Sequence, residues 1–425
     1  MHDLITTRRA FIQKGLTLLA ATSTVPAFLD QTVWAMNNPA DLSRIQQPSG
    51  KDGTILVVVQ LSGGNDGLNT IVPWADDEYH RRRPGLAIDP KTVLKIDNYL
   101  GMHPNLAGIK ALFDDGRLSL IQGVGYPNPN RSHFRSMDIW HSANPADEQP
   151  TDGWLGRYFD NTCSGADPHV GVSLDERLPL AMQGSRVIPL SFERPEAYRY
   201  AGKDTDAYLR LNTREAPTTR PAGKGNDLTA AGQLDFLHRT AMDAQLTSDQ
   251  ILRITRAHTP AAEYPRGKFA DGLRTVAAMI RGGLPTRVYY VSLGGFDTHA
   301  NQRGRHDNLM LQFNDGVKAF WADLKAQKND DRVLMMTFSE FGRRVEQNAS
   351  GGTDHGAAAP MMLIGPKLKP GIVGQHPSLN PKMLDQGDLR YGIDFRSVYA
   401  TVLQKWLETP SRPILGAQFQ TLALL

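Results

Sequence analysis

The chain has 425 residues, of which 40% are hydrophobic and 21% are charged, as expected of a globular protein long enough to bury a large core. The net charge of +3 is small and Lys and Arg are scattered, so the composition gives no sign of a surface for nucleic acid or a membrane. A single cysteine, Cys163, excludes an intramolecular disulfide, and the fold must rest on packing, hydrogen bonds and any bound ions.

The first 35 residues have the layout of a signal peptide. A charged segment containing Arg8 and Arg9 is followed by a mildly apolar stretch and by small residues ending at Ala35. The paired arginines with Ala-Phe-Ile behind them resemble the twin-arginine consensus, and the stretch is less apolar than the roughly 20 residues of a membrane-spanning helix. An amphipathic N-terminal helix is the alternative. We expect cleavage after Ala35 and export of the folded protein by the twin-arginine translocation machinery, to the periplasm or otherwise outside the cytoplasm.

The remaining residues, 36–425, are expected to form a single domain with no integral membrane anchor. Residues 55–61 form an uncharged, mostly β-branched run, which predicts a strand buried on both faces. Apolar spacing predicts helices at residues 105–113, 234–254, 269–280, 306–324 and 398–407. Further strands are predicted at residues 118–124, 287–293, 333–338 and 361–364. This alternation predicts a three-layer α/β fold around a doubly wound, mostly parallel sheet.

Of four segments with acidic residues or histidines, three directly follow predicted strands, at residues 62–67, 294–299 and 339–344, where open α/β sheets gather their ligands. Residues 62–67 (Ser-Gly-Gly-Asn-Asp-Gly) bring Asp66 to the end of the first strand as a candidate ligand for a hard cation. Asn-Asp-Gly is equally a favoured turn sequence. Residues 294–299 (Gly-Gly-Phe-Asp-Thr-His) carry Asp297 and His299 two positions apart, a pattern that suits a divalent metal such as zinc, although His299 could equally be a surface histidine.

Two more segments supply acidic residues, arginine and histidine. Residues 339–344 (Ser-Glu-Phe-Gly-Arg-Arg) offer Glu340 to a metal and Arg343 to an anionic substrate group, or alternatively form the start of a helix. Residues 351–356 contain Asp354 and His355 between glycines, in what we expect to be a loop before a strand. A loop can aim one of these side chains at each of two ions, and His355 is the stronger ligand candidate.

A fifth segment, residues 130–135 (Asn-Arg-Ser-His-Phe-Arg), precedes a helical pattern. Ser132 at a helix start is first of all an N-cap. It is also a candidate nucleophile, because the helix end together with Arg131 and Arg135 would stabilise charge on a phosphoryl or sulfuryl group. His133 beside it is a second candidate for the catalytic residue.

In their order along the chain, these five segments resemble an exported, uncharacterised family, domain of unknown function 1501. That family looks like a branch of the alkaline phosphatase and sulfatase superfamily, which implies an alkaline phosphatase-type fold with two metal ions at the ends of the strands. The resemblance implies that Asp66 and Glu340 bind one divalent ion and that Ser132 takes the place of the nucleophile. It implies that Asp297, His299 and His355 bind the other ion, with Asp354 next to them. Authentic alkaline phosphatases carry Asp-His where this chain has Glu340-Phe341, so one ion would lack an imidazole ligand.

The function that follows is metal-dependent hydrolysis of an anionic phosphate or sulfate ester, with attack by Ser132 or by a water molecule that the metal activates. The alternative is a noncatalytic exported binding or scaffold protein that keeps the fold. A serine esterase of the flattened α/β type would need a Gly-Asp-Ser block ahead of Asp66, and the sequence has none there.

Overall fold

The structure, a computed structural model, describes residues 53–162, 168–197 and 247–425. The leader, Cys163 and residues 234–246 of one predicted helix lie outside the described residues, whereas residues 247–257 are helical. Within the described residues, no helix is both long and apolar enough to cross a bilayer.

Fourteen strands lie in the described part of the chain. They are β1 (Ile55–Ser62), β2 (Ile71–Val72), β3 (Leu94–Lys95), β4 (Gly101–Met102), β5 (Leu118–Gly125), β6 (Gly171–Ser173), β7 (Leu190–Ser191), β8 (Val288–Gly294), β9 (Val333–Phe338), β10 (Arg343–Gln347), β11 (Thr353–His355), β12 (Ala359–Ile364), β13 (Gly371–Val373) and β14 (Ile393–Asp394).

The α-helices with both ends in the described residues are α1 (Gly67–Thr70), α2 (Asp77–Arg82), α3 (Ala107–Asp114), α4 (His133–Ser142), α5 (Trp154–Thr162), α6 (Lys268–Arg281), α7 (Gln302–Gln327), α8 (Phe395–Thr401) and α9 (Arg412–Leu415). A π-helical turn, Val402–Trp406, continues α8. The 3₁₀ turns are Pro168–Val170, Leu180–Met182, Pro195–Ala197 and Pro381–Met383.

The main sheet has nine strands in the described residues, in the order β13-β5-β12-β9-β1-β8-β6-β7, with β14 also beside β5. The pairs β1 with β8 and β1 with β9 are parallel. Strand β12 is antiparallel to both of its neighbours, β5 and β9. The prediction of an α/β fold with a mostly parallel sheet is therefore confirmed. The strands predicted before and after the helix at residues 105–113 are not side by side, because β9 and β12 lie between β1 and β5.

Alternate residues of β1 enter two separate cores, which explains why the strand is apolar along almost its whole length. Val57 and Val59 pack in the core covered by α3, α6 and α7, while Leu56 and Val58 pack in the core covered by α4, α5 and α8. Each fully buried side chain of this size contributes roughly 1.5–3 kcal/mol of hydrophobic stabilisation. Helices on both faces of the sheet give the three layers that the alternation predicts.

The topology brings the candidate segments to one edge of the sheet. Strands β9, β1 and β8 are adjacent and parallel, so the segments that follow them emerge at the same edge. Strand β5 has the same direction, because β12 is antiparallel to both β5 and β9. The expectation of a loop around Asp354 and His355 is wrong, because these residues form β11, which pairs antiparallel with β10 in the register Arg343 to His355. The two glycine-flanked residues are thus fixed by strand pairing.

Candidate metal centre

Three histidines and one aspartate meet at this edge, and we call His133, Asp297, His299 and His355 the histidine cluster. The Nε2 atoms of His299 and His355 each lie 3.2 Å from Oδ1 of Asp297, and Nε2 of His133 lies 3.4 Å from it. The Nε2 atoms of His299 and His355 are 2.9 Å apart. The ligand atoms of His133, Asp297 and His355 all lie within 4.8 Å of one another, and His299 joins them through its contacts with Asp297 and His355.

The opposite nitrogen of each ring is held by an acceptor. Nδ1 of His355 lies 2.7 Å from the backbone carbonyl oxygen of Arg131. A carbonyl oxygen can only accept, so Nδ1 of His355 carries the proton and Nε2 of the neutral ring presents a lone pair.

Carboxylates do the same for the other two rings. Nδ1 of His133 lies 2.8 Å from Oε1 of Glu340, and Nδ1 of His299 lies 3.3 Å from Oδ1 of Asp354. In metal sites, a ligating histidine almost always donates its second N–H to a carboxylate or a carbonyl. Glu340 and Asp354, which the sequence offers as ligands, occupy these orienting positions.

The resulting arrangement suits a divalent cation. The Nε2 atoms of His299 and His355 face each other beside an Asp297 oxygen. When both rings are neutral and protonated at Nδ1, their Nε2 lone pairs repel each other unless a positive charge lies between them. Nε2 of His133 is buried and has no hydrogen-bond partner among the described residues. Three imidazole nitrogens and one carboxylate oxygen form a donor set that zinc accepts in tetrahedral geometry.

The protonation states agree with this donor set. Burial alone would raise the pKa of Asp297, but the hydrogen bond and the positive charge of Arg343 oppose it, and the pKa is lowered to about 2. Burial lowers the pKa of His355. An ionised carboxylate and a neutral imidazole are the forms that bind a metal ion.

Glycine lets the ligand-bearing loops touch. Gly63 has φ +118°, and a Cβ there would lie 2.4 Å from the backbone nitrogen of Asp297. A Cβ on Gly352 would lie 2.3 Å from the carbonyl carbon of His299. Neither position has room for a side chain, so both glycines are required for the loops to approach this closely.

Comparison with known proteins identifies the family. Residues 120–416 match the model of a family described as a protein of unknown function, DUF1501. The chain belongs to this family. The prediction of family membership is confirmed, and all four residues of the histidine cluster fall within the matched part of this DUF1501 chain, whereas Asp66 precedes it. A search of curated proteins finds no match.

Solved structures that resemble the DUF1501 chain share little sequence with it. The sulfatase PsFucS1 from Pseudoalteromonas sp. is 9% identical with a TM-score of 0.36, over 91% of this chain and 73% of that one. A protein in the alkaline phosphatase superfamily from Vibrio parahaemolyticus is 8% identical with a TM-score of 0.32, over 83% and 71%. The C-terminal periplasmic domain of EcEptC from Escherichia coli, in complex with Zn, is 12% identical with a TM-score of 0.32, over 75% and 74%. Values this low assign no activity to the chain.

In the DUF1501 chain, Arg343 is fully buried and its donors are already engaged. Nε donates to the carbonyl of Gly64 at 2.7 Å, and Nη1 donates to that of Thr353 at 2.8 Å. Nη2 donates to the carbonyls of Gly63 and Phe296 and to Oδ1 of Asp297. The guanidinium predicted to meet substrate therefore braces the loops that carry the metal-ligand candidates.

Asp66 lies in a separate buried group that we call the Asp66 network, made of Asp66, Asn69, Arg83 and Gln302. Nη1 of Arg83 donates to Oδ2 of Asp66 at 2.6 Å, and Gln302 donates to the same oxygen. Burial would raise the pKa of Asp66, but the charge of Arg83 opposes this and the pKa is lowered. Oδ1 of Asp66 has no hydrogen-bond partner in the described residues. The contacts of Asp66 are thus with Arg83 and Gln302 rather than with Glu340, its predicted co-ligand.

Ser132 is the N-cap residue of α4 and directly precedes His133. Its side chain is exposed and makes no capping hydrogen bond. Arg135, one turn further on, donates to the carbonyls of Ala146 and Glu148 and is turned away from Ser132. The hydroxyl of Ser132 is therefore not committed to the helix end.

Two features of the site are not predicted from the sequence: that His133 belongs to the histidine cluster, and that Arg83 is the partner of Asp66. The sequence offers His133 only as a catalytic candidate beside Ser132. The signal for its place in the cluster is that its segment, like the segments with metal-ligand candidates, lies near the end of a strand. Arg83 lies 17 residues after Asp66, just past the end of α2, and no local pattern marks it.

Proposed function

We propose that this protein is an exported, metal-dependent hydrolase of phosphate or sulfate esters. The observation that carries the proposal is the pair of opposed Nε2 atoms of His299 and His355, 2.9 Å apart, beside the oxygen of Asp297. Hydrogen bonds at Nδ1 fix both rings in this orientation. A purely structural polar contact would pair donors with an acceptor, as Arg83 and Gln302 do with Oδ2 of Asp66.

One divalent ion would be held by His133, Asp297, His299 and His355, with zinc as the first candidate. When bound, such an ion would polarise the ester and stabilise the negative charge that develops during cleavage. Glu340 and Asp354 orient two of the rings and Arg343 holds the loops, so these three act on the ligands rather than on the substrate.

Ser132 is the candidate nucleophile, because it directly precedes His133 of the histidine cluster. The hydroxyl of Ser132 is exposed and sits one residue from His133 at the first turn of α4. In the proposed step the Ser132 hydroxyl gives up its proton and its oxygen bonds to phosphorus or sulfur, while the P–O or S–O bond to the ester oxygen breaks; that oxygen leaves with the bonding electrons and takes up a proton. Water then hydrolyses the ester on Ser132 and regenerates the hydroxyl. Backbone N–H groups at the start of α4 favour the negative charge of the transferred group.

The test starts with metal content. Mature protein, residues 36–425, recovered after export should contain about one equivalent of divalent ion, and His299→Ala and His355→Ala should each lose it. His80→Ala is a matched control, because His80 bonds the carbonyl of Trp74 away from the cluster. Full metal content in both variants would refute the site.

Activity is then measured on a phosphomonoester, a phosphodiester and a sulfate ester. Ser132→Ala should abolish turnover without changing the metal content, whereas unchanged turnover would assign the attack to water. A protein that binds the ion and hydrolyses none of the esters would be the noncatalytic alternative. Export is tested separately by changing Arg8 and Arg9 to lysine, which should leave the precursor in the cytoplasm.

A further inference from the structure

The structure has two arginines that the proposed chemistry does not use. Arg131 and Arg344 flank the histidine cluster, and each side chain is 37% exposed. Resting on the proposed function, we propose that they bind a second anionic group of the substrate, next to the ester that is cleaved. The substrate class would then be an ester that carries an additional sulfate, phosphate or carboxylate.

Their position follows from the backbone. Arg131 directly precedes Ser132, and its carbonyl oxygen accepts from Nδ1 of His355 at 2.7 Å. Arg344 follows Arg343 on β10, and Arg343 is the register partner of His355 on β11. Both arginines thus lie on the His355 side of the cluster.

A buried carboxylate lies between the two side chains. Nε of Arg131 donates to Oδ2 of Asp388 at 2.8 Å, and Nη2 of Arg131 contacts the same oxygen. Nε of Arg344 lies 3.4 Å from Oδ1 of Asp388, whose side chain is only 1% exposed. Because both guanidinium groups meet one carboxylate, they are close enough to act on one anion.

Some N–H donors of the two arginines have no acceptor among the residues that the structure describes. Nη1 of Arg131 and both Nη atoms of Arg344 make no hydrogen bond to any residue that the structure describes. Asp388 is the carboxylate in contact with both guanidinium groups, and the charge of Arg344 also acts on Asp354. By contrast, Arg343 and Arg135 are bound to backbone carbonyls and are unavailable to a ligand. Guanidinium groups with free N–H donors match the oxygens of sulfate, phosphate and carboxylate.

The experiment measures binding rather than turnover. Metal-loaded mature protein is titrated calorimetrically with benzenesulfonate and with benzene-1,3-disulfonate. The disulfonate should bind at least about tenfold more tightly, since a hydrogen bond to a charged group is worth about that factor. Arg344→Ala should remove most of this preference and change benzenesulfonate binding less than about twofold. Arg274→Ala, an exposed arginine paired with Asp271, is the matched control and should change neither.

Arg131→Ala is measured as well, with its metal content, because the backbone of Arg131 also holds His355. If Arg131→Ala loses metal, only the Arg344→Ala result is used to judge whether the two arginines bind the second anionic group. Equal affinity of the unaltered protein for both sulfonates, or a preference that survives Arg344→Ala, would overturn the inference. A preference for the disulfonate in a protein that cleaves no ester would uphold the anion site and reject the proposed hydrolysis.

Discussion

The histidine cluster and the Asp66 network are two polar groups that the sequence marks with the same kind of motif, yet they are built on opposite principles. In the cluster, Asp297 and His299 are about half exposed, and the Nε2 atoms of His299 and His355 face each other at 2.9 Å. In the network, Asp66 and Arg83 are fully buried and opposite charges meet at 2.6 Å. Complementary pairs indicate a structural role, whereas unmatched electron pairs held in place by outer hydrogen bonds indicate a ligand site.

The largest effect is expected from a substitution that disrupts the Asp66 network. Arg83→Met would leave the Asp66 carboxylate buried without its charge partner, which should cost about 3–5 kcal/mol in the free energy of unfolding measured with urea. Arg81→Met is the control, because Arg81 is 67% exposed and should shift stability by less than about 0.5 kcal/mol. Equal stability of the two variants would mean that another cation neutralises Asp66.

The second prediction concerns pH. His306 is buried beside Asn65, and its pKa is lowered to about 4 by burial, with the Asp66 charge opposing and His103 adding to the effect. Between the ordinary value of 6.5 and about 4 the unfolded chain binds this proton and the folded chain does not. The free energy of unfolding should therefore fall as pH decreases through this window, by on the order of 3 kcal/mol.

His306→Gln should reduce that dependence, as measured by urea unfolding at a series of pH values, while buried histidines such as His376 continue to contribute to it. A slope between pH 6.5 and 4 that is unchanged by this substitution would place the responsible proton elsewhere.

The third prediction tests whether Asp354 and Glu340 orient histidine rings of the cluster. Asp354→Asn and Glu340→Gln should weaken metal affinity about 10- to 100-fold in competition with a chelator, because each removes an anion that orients a ring. Asp354 is 54% exposed, so Asp354→Asn should hardly change stability. Asp114→Asn, 57% exposed and paired with Lys110, is the control and should leave metal affinity unchanged. Complete loss of the ion in Asp354→Asn would instead make Asp354 a direct ligand.

The smallest effect tests the connection between the two regions. Gln302 accepts hydrogen bonds from Thr298 at 3.1 Å and from Thr353 at 2.6 Å, and both threonines neighbour cluster residues. Thr353→Val should cost about 1 kcal/mol of stability and lower metal affinity only severalfold. The double variant Thr298→Val with Thr353→Val should do more than the sum, because the oxygen of Gln302 then has no partner.

Much of the fold could be predicted from local pattern. The uncharged run of β1 and the bounds of β9 follow from residues that must be buried on both faces, and strand ends indicated where the site lies. The direction of β12 could not be predicted, because an apolar strand reads the same in either orientation.

The details of the site were less accessible. That Asp297, His299 and His355 lie together could be predicted from their residue types and from their positions near strand ends. Whether Glu340 binds an ion or a ring nitrogen depends on the rotation of His133, which only tertiary packing decides. For the same reason, the sequence could not distinguish a buried ion pair at Asp66 from a metal ligand.

The central place of β1 also has a consequence for synthesis. Its neighbours β8 and β9 lie about 230 and 280 residues further along the chain. At roughly 5–20 residues per second, a ribosome makes this apolar strand tens of seconds before either neighbour exists. The nascent protein must therefore keep an unpaired hydrophobic strand out of contact with other chains until translation is almost complete.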